Sequence, residues 1–288
     1  MNSIDELPSQ PRPPRLLWLD LTRRCQLACI HCYNESGPQG GHGTMSREGW
    51  LRVLDQAADY GVRNVQFIGG EPTMHPHFAE LVDHALNIGL HVEVYSNLVH
   101  VSRRCWELFQ RQGLTLATSY YSDRATEHDT VTRRPSHRRT RANISQAVGL
   151  GISVRVGIVT TEGDRETDAA RRDLAGLGVT RISVDRVRPF GRGGEGEGQE
   201  EELPHLCGGC GDGTAAVGPD GTVSPCVFSG HLGVGNVEKT DLADILRGSA
   251  MAEISAKIRA VTVGGDPCDP TETECTPGFP GSECTPRT

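Results

Sequence analysis

The middle of this chain alternates between short apolar runs and segments of helical spacing, and few folds satisfy that order. Residues 15–21 (RLLWLDL) read as a first strand. Residues 48–60 carry Trp50, Val53, Leu54 and Ala57 at helical spacing behind a Ser46 N-cap, and Gly61 stands where a left-handed cap is usual. Strands are then expected at 64–68, 91–95, 114–119, 152–159 and 181–187, with helices at 78–88, 103–112, 142–150 and 165–177. Helices between successive strands imply a parallel sheet with right-handed crossovers. The sheet is either an open doubly wound one or an incomplete barrel, and periodicity does not choose between them.

The first strand delivers Cys25-Gln26-Leu27-Ala28-Cys29-Ile30-His31-Cys32-Tyr33, a C-x3-C-x2-C triplet. A loop that short can turn three sulfurs toward one centre. Three ligands leave one coordination position open to something that is not protein. Thiolate-rich sets suit zinc or iron–sulfur clusters. A structural zinc ion would need a fourth ligand, for which His31 or His42 is available.

The spacing, Leu27 and the His-Cys-Tyr ending resemble the radical S-adenosylmethionine (SAM) superfamily. That resemblance implies a partial (β/α)6, TIM-like barrel with its chemistry at the C-terminal ends of the strands. It implies a 4Fe–4S cluster held by Cys25, Cys29 and Cys32, whose open iron takes the amino and carboxylate groups of SAM. Ile68-Gly69-Gly70-Glu71-Pro72 follows the second strand. Alone it is an ordinary turn; here it resembles the family's GGEP motif, so Gly69, Gly70 and Glu71 are expected on the methionyl ammonium. Ser96 and Asn97, ending the third strand, resemble the Ser/Thr-Asn element of the same pocket. Ser119 matches a position that contacts the SAM ribose or carboxylate. Arg155 could point inward as a charged partner for SAM, or toward helix and solvent, since neighbours in a strand alternate.

Residues 128–139 hold the strongly basic stretch, with Arg133, Arg134, Arg138 and Arg139. It reads as a solvated loop before a helix, or as charge near the barrel mouth that steers an acidic substrate. Residues 187–193 (VRPFGRG) resemble the segment by which SPASM-type relatives leave the barrel. Gly, Glu, Gln and Arg then dominate to 202, a linker composition. The expected domains are a disordered tail (1–14), the barrel (15–190), a linker (191–203) and a C-terminal module (204–288).

That module carries Cys207, Cys210, Cys226, Cys268, Cys275 and Cys284 without an apolar run that could make a large core. Small cysteine-dense modules inside cells are usually organised by metal, zinc included. Residues 217–226 read as a hairpin turning at Pro219-Asp220-Gly221, which brings Cys210 and Cys226 together. The C-x10-G-x4-C spacing of Cys210, Gly221 and Cys226 resembles the SPASM and twitch modules that hold auxiliary clusters. The late cysteines depart from that pattern at C-x6-C-x8-C. The expectation is one auxiliary 4Fe–4S cluster on Cys207, Cys210, Cys226 and Cys268. Cys275 and Cys284 remain for a second, incompletely ligated cluster, for hydrogen donation, with Cys284 the candidate catalytic donor, or simply to tie down the tail. Cys105, within a helix beside Trp106, reads as structural.

The resemblance implies an enzyme that cleaves SAM to a 5′-deoxyadenosyl radical and takes a hydrogen atom from its substrate. The substrate expected is a ribosomally made peptide, crosslinked, oxidised or epimerised; an aminoglycoside or aminocyclitol sugar is the alternative. An iron–sulfur electron carrier or a metal-stabilised binding protein is the reading from another class. Expected partners are a one-electron reductant such as flavodoxin or ferredoxin and a separate leader-peptide-binding protein. With 37 acidic against 29 basic residues the formal charge is −8, which disfavours nucleic acid as a partner. No apolar run of about 18 residues suggests a membrane span. Ten cysteines without an export signal point to the cytoplasm.

Overall fold

A computed structural model of the chain describes residues 13–160, 164–194 and 203–262. The alternation resolves into β1 (Leu16–Asp20), α1 (Arg47–Tyr60), β2 (Asn64–Ile68), α2 (Phe78–Asn87), β3 (His91–Tyr95) and α3 (Arg103–Phe109). It continues through β4 (Leu114–Tyr120), α4 (Ala125–Thr132), α5 (His137–Gly149), β5 (Val154–Thr160), α6 (Asp164–Gly176) and β6 (Arg181–Arg186). The six strands are parallel and lie in chain order. The sheet continues past β1 into β7 (Thr214–Val217), parallel to it, then antiparallel β8 (Thr222–Ser224) and β9 (Gly235–Asn236). It ends at β6 on one side and β9 on the other, so the expected partial barrel is open. Two further helices, α7 (Leu242–Arg247) and α8 (Ser249–Thr262), follow.

All five residues of β1 are buried, as a parallel strand covered on both faces requires. Alternation splits them between two cores. Leu17 and Leu19 pack with Trp50, Leu54, Phe67, Phe78 and Val94 beneath the helices. Leu16 and Trp18 face the concave side with Ile68, Phe190, Leu206, Cys210 and Cys226. The register sets Asp20 opposite Ile68 and Tyr95 opposite Ala117, so the loops leaving β1, β2 and β3 emerge at one edge.

The local signals around α1 act as expected: Ser46 accepts from the Gly49 amide, and Gly61 sits at φ +97°. The basic stretch differs from expectation. Instead of one loop there is α4, and α5 begins at His137 rather than at 142. The buried residues of α4 are His128 and Thr132, so no apolar stripe marks it. The start of α5 is set by a tertiary contact, in which the Asp129 carboxylate accepts from the Ser136 and His137 amides at 2.8 Å each. α8, burying Met251 and Ile258, was also not expected.

The segment read as linker begins with a 3-10 turn at Gly191–Gly193 that is seated on the cysteine loop. The hairpin forms as read, with Gly221 at φ +82° and its amide on the Gly218 carbonyl. The N-terminal tail to residue 12 and the late cysteines Cys268, Cys275 and Cys284 lie outside the described residues. Among the described residues no helix is long and apolar enough to cross a membrane.

Candidate cofactor and substrate cavity

The strand ends and the cysteine loop enclose a cavity of about 280 Å3. Cys25, Cys29 and Cys32 line it together with Gly69, Gly70, Asn97, Ser119 and Arg155. The C-terminal segment closes one side with Val227 and Phe228, and β6 and its exit contribute Asp185, Arg186 and Arg188.

The loop carrying the three thiols is held mainly by its backbone. The Gly37 amide donates to the Arg23 carbonyl and the Cys25 amide to the Gly37 carbonyl, at 3.1 and 3.0 Å. The amides on either side of Cys29 donate to α4: Ala28 to the Thr132 carbonyl and Ile30 to the Val131 carbonyl. Arg192 reaches in from the far end of the barrel and donates to the Cys29 and Ser36 carbonyls at 2.8 and 2.7 Å. Its amide donates to the Cys32 carbonyl. A glycine is required beside it, because Gly191 has φ +53° and a Cβ there would stand 2.4 Å from the Tyr33 carbonyl oxygen. Linker-like composition hid this contact; the one signal was an arginine set between glycines.

Gly69 and Gly70 were expected to let backbone approach a ligand. Both line the cavity, but their lack of a side chain answers a different crowding. A Cβ on either would stand 2.6 Å from a carbonyl oxygen, Thr22 for Gly69 and Arg24 for Gly70. The glycines therefore let the β2 exit lie against the base of the cysteine loop.

Glu71 and Ser96 do not line the cavity; they form a lock behind it. Glu71 Oε1 accepts from the Thr73 amide, the Thr73 hydroxyl and the Ser96 hydroxyl, and Oε2 accepts from the Asn97 amide at 2.8 Å. Burial raises the Glu71 pKa against these bonds, which favour the carboxylate. The lock sets Asn97, whose side-chain Nδ2 lies 3.6 Å from the Cys25 sulfur and whose side-chain oxygen accepts from the Gln26 side chain and the Val99 amide.

Of the two orientations open to Arg155, the inward one is found. It pairs with buried Glu93 at 2.8 Å, and its guanidinium carbon lies 5.6 Å from the centre of the Tyr95 ring. Tyr95 in turn shares a 3.0 Å hydrogen bond with Ser119. Tyr121, which the sequence did not single out, and His128, from the start of the basic stretch, complete this wall. Burial pushes the Cys25 thiol up to about 12, with the Glu71 charge adding to it, and the Cys29 thiol up to about 11. Burial, with the Arg192 cation beside it, holds His31 down at about 4.

A second set of sulfurs sits on the concave face. The Cys210 thiol donates to the Cys226 sulfur at 3.2 Å, and Cys207 joins them through Cys210. Hydrogen bonding with Cys210 draws Cys207 down to about 6 and the Cys210 donor lowers Cys226, while Cys210 itself is pushed up by its two sulfur neighbours, its one proton serving a single partner at a time. Aromatic rings pack with this second set: Tyr33, next to Cys32 in the chain, meets Phe228 edge-on at 5.1 Å, and Phe228 stacks on Phe190 at 5.1 Å.

Among the described residues no three His, Cys, Asp or Glu side chains stand as ligands to a single metal ion. The donor chemistry fits a cluster better than an ion. Each set offers three thiols, and a coordinated thiol loses its proton whatever burial does to the free one. A cavity with polar backbone and an inward cation adjoins the first set.

Residues 19–178 match the Radical SAM superfamily, more than half of the chain. The chain belongs to the radical SAM superfamily. Residues 207–276 match SPASM, an iron–sulfur cluster-binding domain, so both matches describe proteins that hold iron–sulfur clusters or SAM. Among curated proteins it is 36% identical to the PqqA peptide cyclase of Rhodopseudomonas palustris over 119 residues, covering 41% of this chain and 32% of that protein. It is 32% identical to the antilisterial bacteriocin subtilosin biosynthesis protein AlbA of Bacillus subtilis over 178 residues, 60% of this chain and 40% of that protein. The chain thus matches 32% to 40% of the length of these two relatives. Streptococcus suis SuiB bound to S-adenosylmethionine shares the fold, with a TM-score of 0.71 at 17% identity over 86% of this chain and 68% of that one.

Proposed function

We propose that this radical SAM protein is an enzyme that modifies a ribosomally made peptide. The observation that carries the proposal is the meeting of Cys25, Cys29 and Cys32 with Gly69, Gly70, Asn97, Ser119 and Arg155 around one cavity. The three thiols hold the 4Fe–4S cluster, and the Gly69 and Gly70 backbone, Asn97, Ser119 and Arg155 receive SAM. Glu71 and Ser96 act from behind, holding Asn97 and the glycine turn in place. When bound, cluster and SAM supply a one-electron cleavage that yields a 5′-deoxyadenosyl radical able to take hydrogen from carbon. The protein's own part is to orient SAM and substrate and to exclude water, and the aromatic wall of Trp18, Tyr33, Tyr95, Tyr121 and Phe228 suits the latter.

Support for a peptide comes from the relatives, one named a peptide cyclase and another a bacteriocin biosynthesis protein. SuiB, with the same fold, has been captured with its precursor peptide SuiA. Cys207, Cys210 and Cys226 hold one auxiliary 4Fe–4S cluster, with Cys268 as fourth ligand. The SPASM match reaches 276, so it spans Cys268 and Cys275 but not Cys284. An auxiliary cluster that accepts an electron favours net oxidation, such as a crosslink. Epimerisation would instead use a thiol hydrogen donor, for which Cys284 is the candidate. Barrel (15–190) and module (204–288) act as the two functional units. A one-electron reductant and a leader-peptide-binding protein complete the system, in the reducing cytoplasm that suits thiolate clusters.

Anaerobic reconstitution with iron and sulfide, then dithionite and SAM, tests the proposal by mass spectrometry. Release of 5′-deoxyadenosine is expected. With precursor peptide, loss of two hydrogens marks a crosslink, whereas deuterium uptake without other mass change marks epimerisation. No 5′-deoxyadenosine from fully loaded protein would overturn the reading.

A further inference from the structure

Four arginines, Arg133, Arg134, Arg138 and Arg139, are exposed at the turn between α4 and α5 of a chain whose net charge is −8. Among the described residues none of their side chains has an ion-pair partner. The carboxylates beside them are already engaged. Asp129 accepts from the Ser136 and His137 amides, and Glu127 accepts from Ser122 and pairs with Arg124. Arg138 and Arg139 stand in the first turn of α5, which has no acidic residue and where the helix dipole disfavours cations. Arg133 and Arg134 stand at the C-terminal end of α4, where the dipole favours cations, but the pair on α5 has no such support.

Its position is specific. Val131 and Thr132, immediately before the arginines, accept the amides of Ile30 and Ala28, the two neighbours of Cys29. Ile30 is 37% exposed, one of few large apolar side chains so open among the described residues. The surface is therefore an apolar residue from the cysteine loop next to a cationic patch. The arginines do not line the cavity, which removes them from direct contact with whatever binds there.

We infer that the turn carrying Arg133, Arg134, Arg138 and Arg139, with Ile30, is the docking surface for an acidic one-electron donor protein. The inference rests on the proposed radical SAM activity, which consumes one electron per SAM cleaved. That electron must enter near Cys25, Cys29 and Cys32, and this patch adjoins the backbone of Cys29. Opposite charge steers a protein partner to such a surface and accelerates its arrival. One electron passes from the donor's reduced flavin to the cluster and no atoms move. A nucleic acid would need a longer basic track, and the acidic balance of the chain offers none.

The test uses the reconstituted full chain and reduced flavodoxin. Arg134→Glu/Arg138→Glu/Arg139→Glu reverses the patch while placing acidic residues at the α5 N-terminus, where they favour the helix. Arg134→Gln/Arg138→Gln is the milder variant. Cluster bleaching after rapid mixing gives the reduction rate, and titration with oxidised flavodoxin gives the affinity. The wild-type rate should fall steeply with salt. The triple variant should be about tenfold slower or worse at low salt, with little salt dependence left. Dithionite, too small to need docking, should reduce all forms alike and drive the same 5′-deoxyadenosine yield. Unchanged flavodoxin rate and affinity would overturn the inference, as would loss of precursor-peptide binding with flavodoxin reduction intact, which would make the patch a substrate surface. If dithionite yields no 5′-deoxyadenosine even from wild type, the enzymatic reading itself fails, independently of the docking result.

Discussion

Arg192 donates to the carbonyl of Cys29 across 163 residues of chain, at 2.8 Å. With its second bond to Ser36 it joins the exit of the barrel to the loop at its entrance. Both are bonds from a cation to backbone carbonyls, each contributing about 1.5–3 kcal/mol.

Arg192→Ala should therefore lower the thermal midpoint by several degrees and release iron from the Cys25, Cys29 and Cys32 site in preference to the auxiliary site. Arg192→Lys should recover little, because a single ammonium does not reproduce the fork that spans two carbonyls. Iron analysis beside thermal unfolding decides it. Unaltered values for the alanine variant would make the contact incidental.

Replacing Cys25, Cys29 and Cys32 together by alanine should abolish 5′-deoxyadenosine formation. Iron should fall from about eight to about four per chain, since each 4Fe–4S cluster carries four. A wild-type content near twelve would instead reveal a second auxiliary cluster. Cys268→Ala should lose the auxiliary iron and Cys284→Ala should keep it.

Glu71 accepts four hydrogen bonds and is 1% exposed, so its removal strands donors from both strand ends. Glu71→Ala should cost about 2–4 kcal/mol in unfolding free energy and weaken SAM binding through Asn97. Glu71→Gln should recover only part, because its amide must point a donor at donors. Urea unfolding with SAM titration separates the two effects. Weakened SAM binding at wild-type stability would return Glu71 to direct contact with the cofactor.

His128 is buried, and its pKa is held down at about 4 by burial, with His137 adding to it. The unfolded chain takes up this proton near pH 6.5 and the folded chain only near 4, so protonation favours unfolding as pH falls between them. Stability present above pH 6.5 is lost progressively down to about pH 4, by roughly 3 kcal/mol from this residue. Urea midpoints of the cluster-free protein should show that slope, and His128→Phe should flatten it. An equal slope in both proteins would assign the proton uptake elsewhere.

The sequence alone determined the alternating strands and helices, the cysteine triplet, the glycine turn and the hairpin that joins Cys210 to Cys226. These are local: periodicity, caps and turn residues act within a few positions. Its expected site residues within the described part lie where strand order and register carry them, because parallel strands bring every strand end to one edge. Tertiary structure decided what spacing does not encode. α4 has no apolar stripe, and α5 begins where the Asp129 carboxylate reaches its first amides. Arg192 looked like linker until folding set it against Cys29. Glu71 and Ser96 were expected on SAM from their motif, and only folding shows the Glu71 carboxylate bonded to Thr73, Ser96 and the Asn97 amide, outside the cavity lining. Which way Arg155 faced depended on the phase of a whole strand, settled only by its pairing with Glu93 one strand beyond its neighbour.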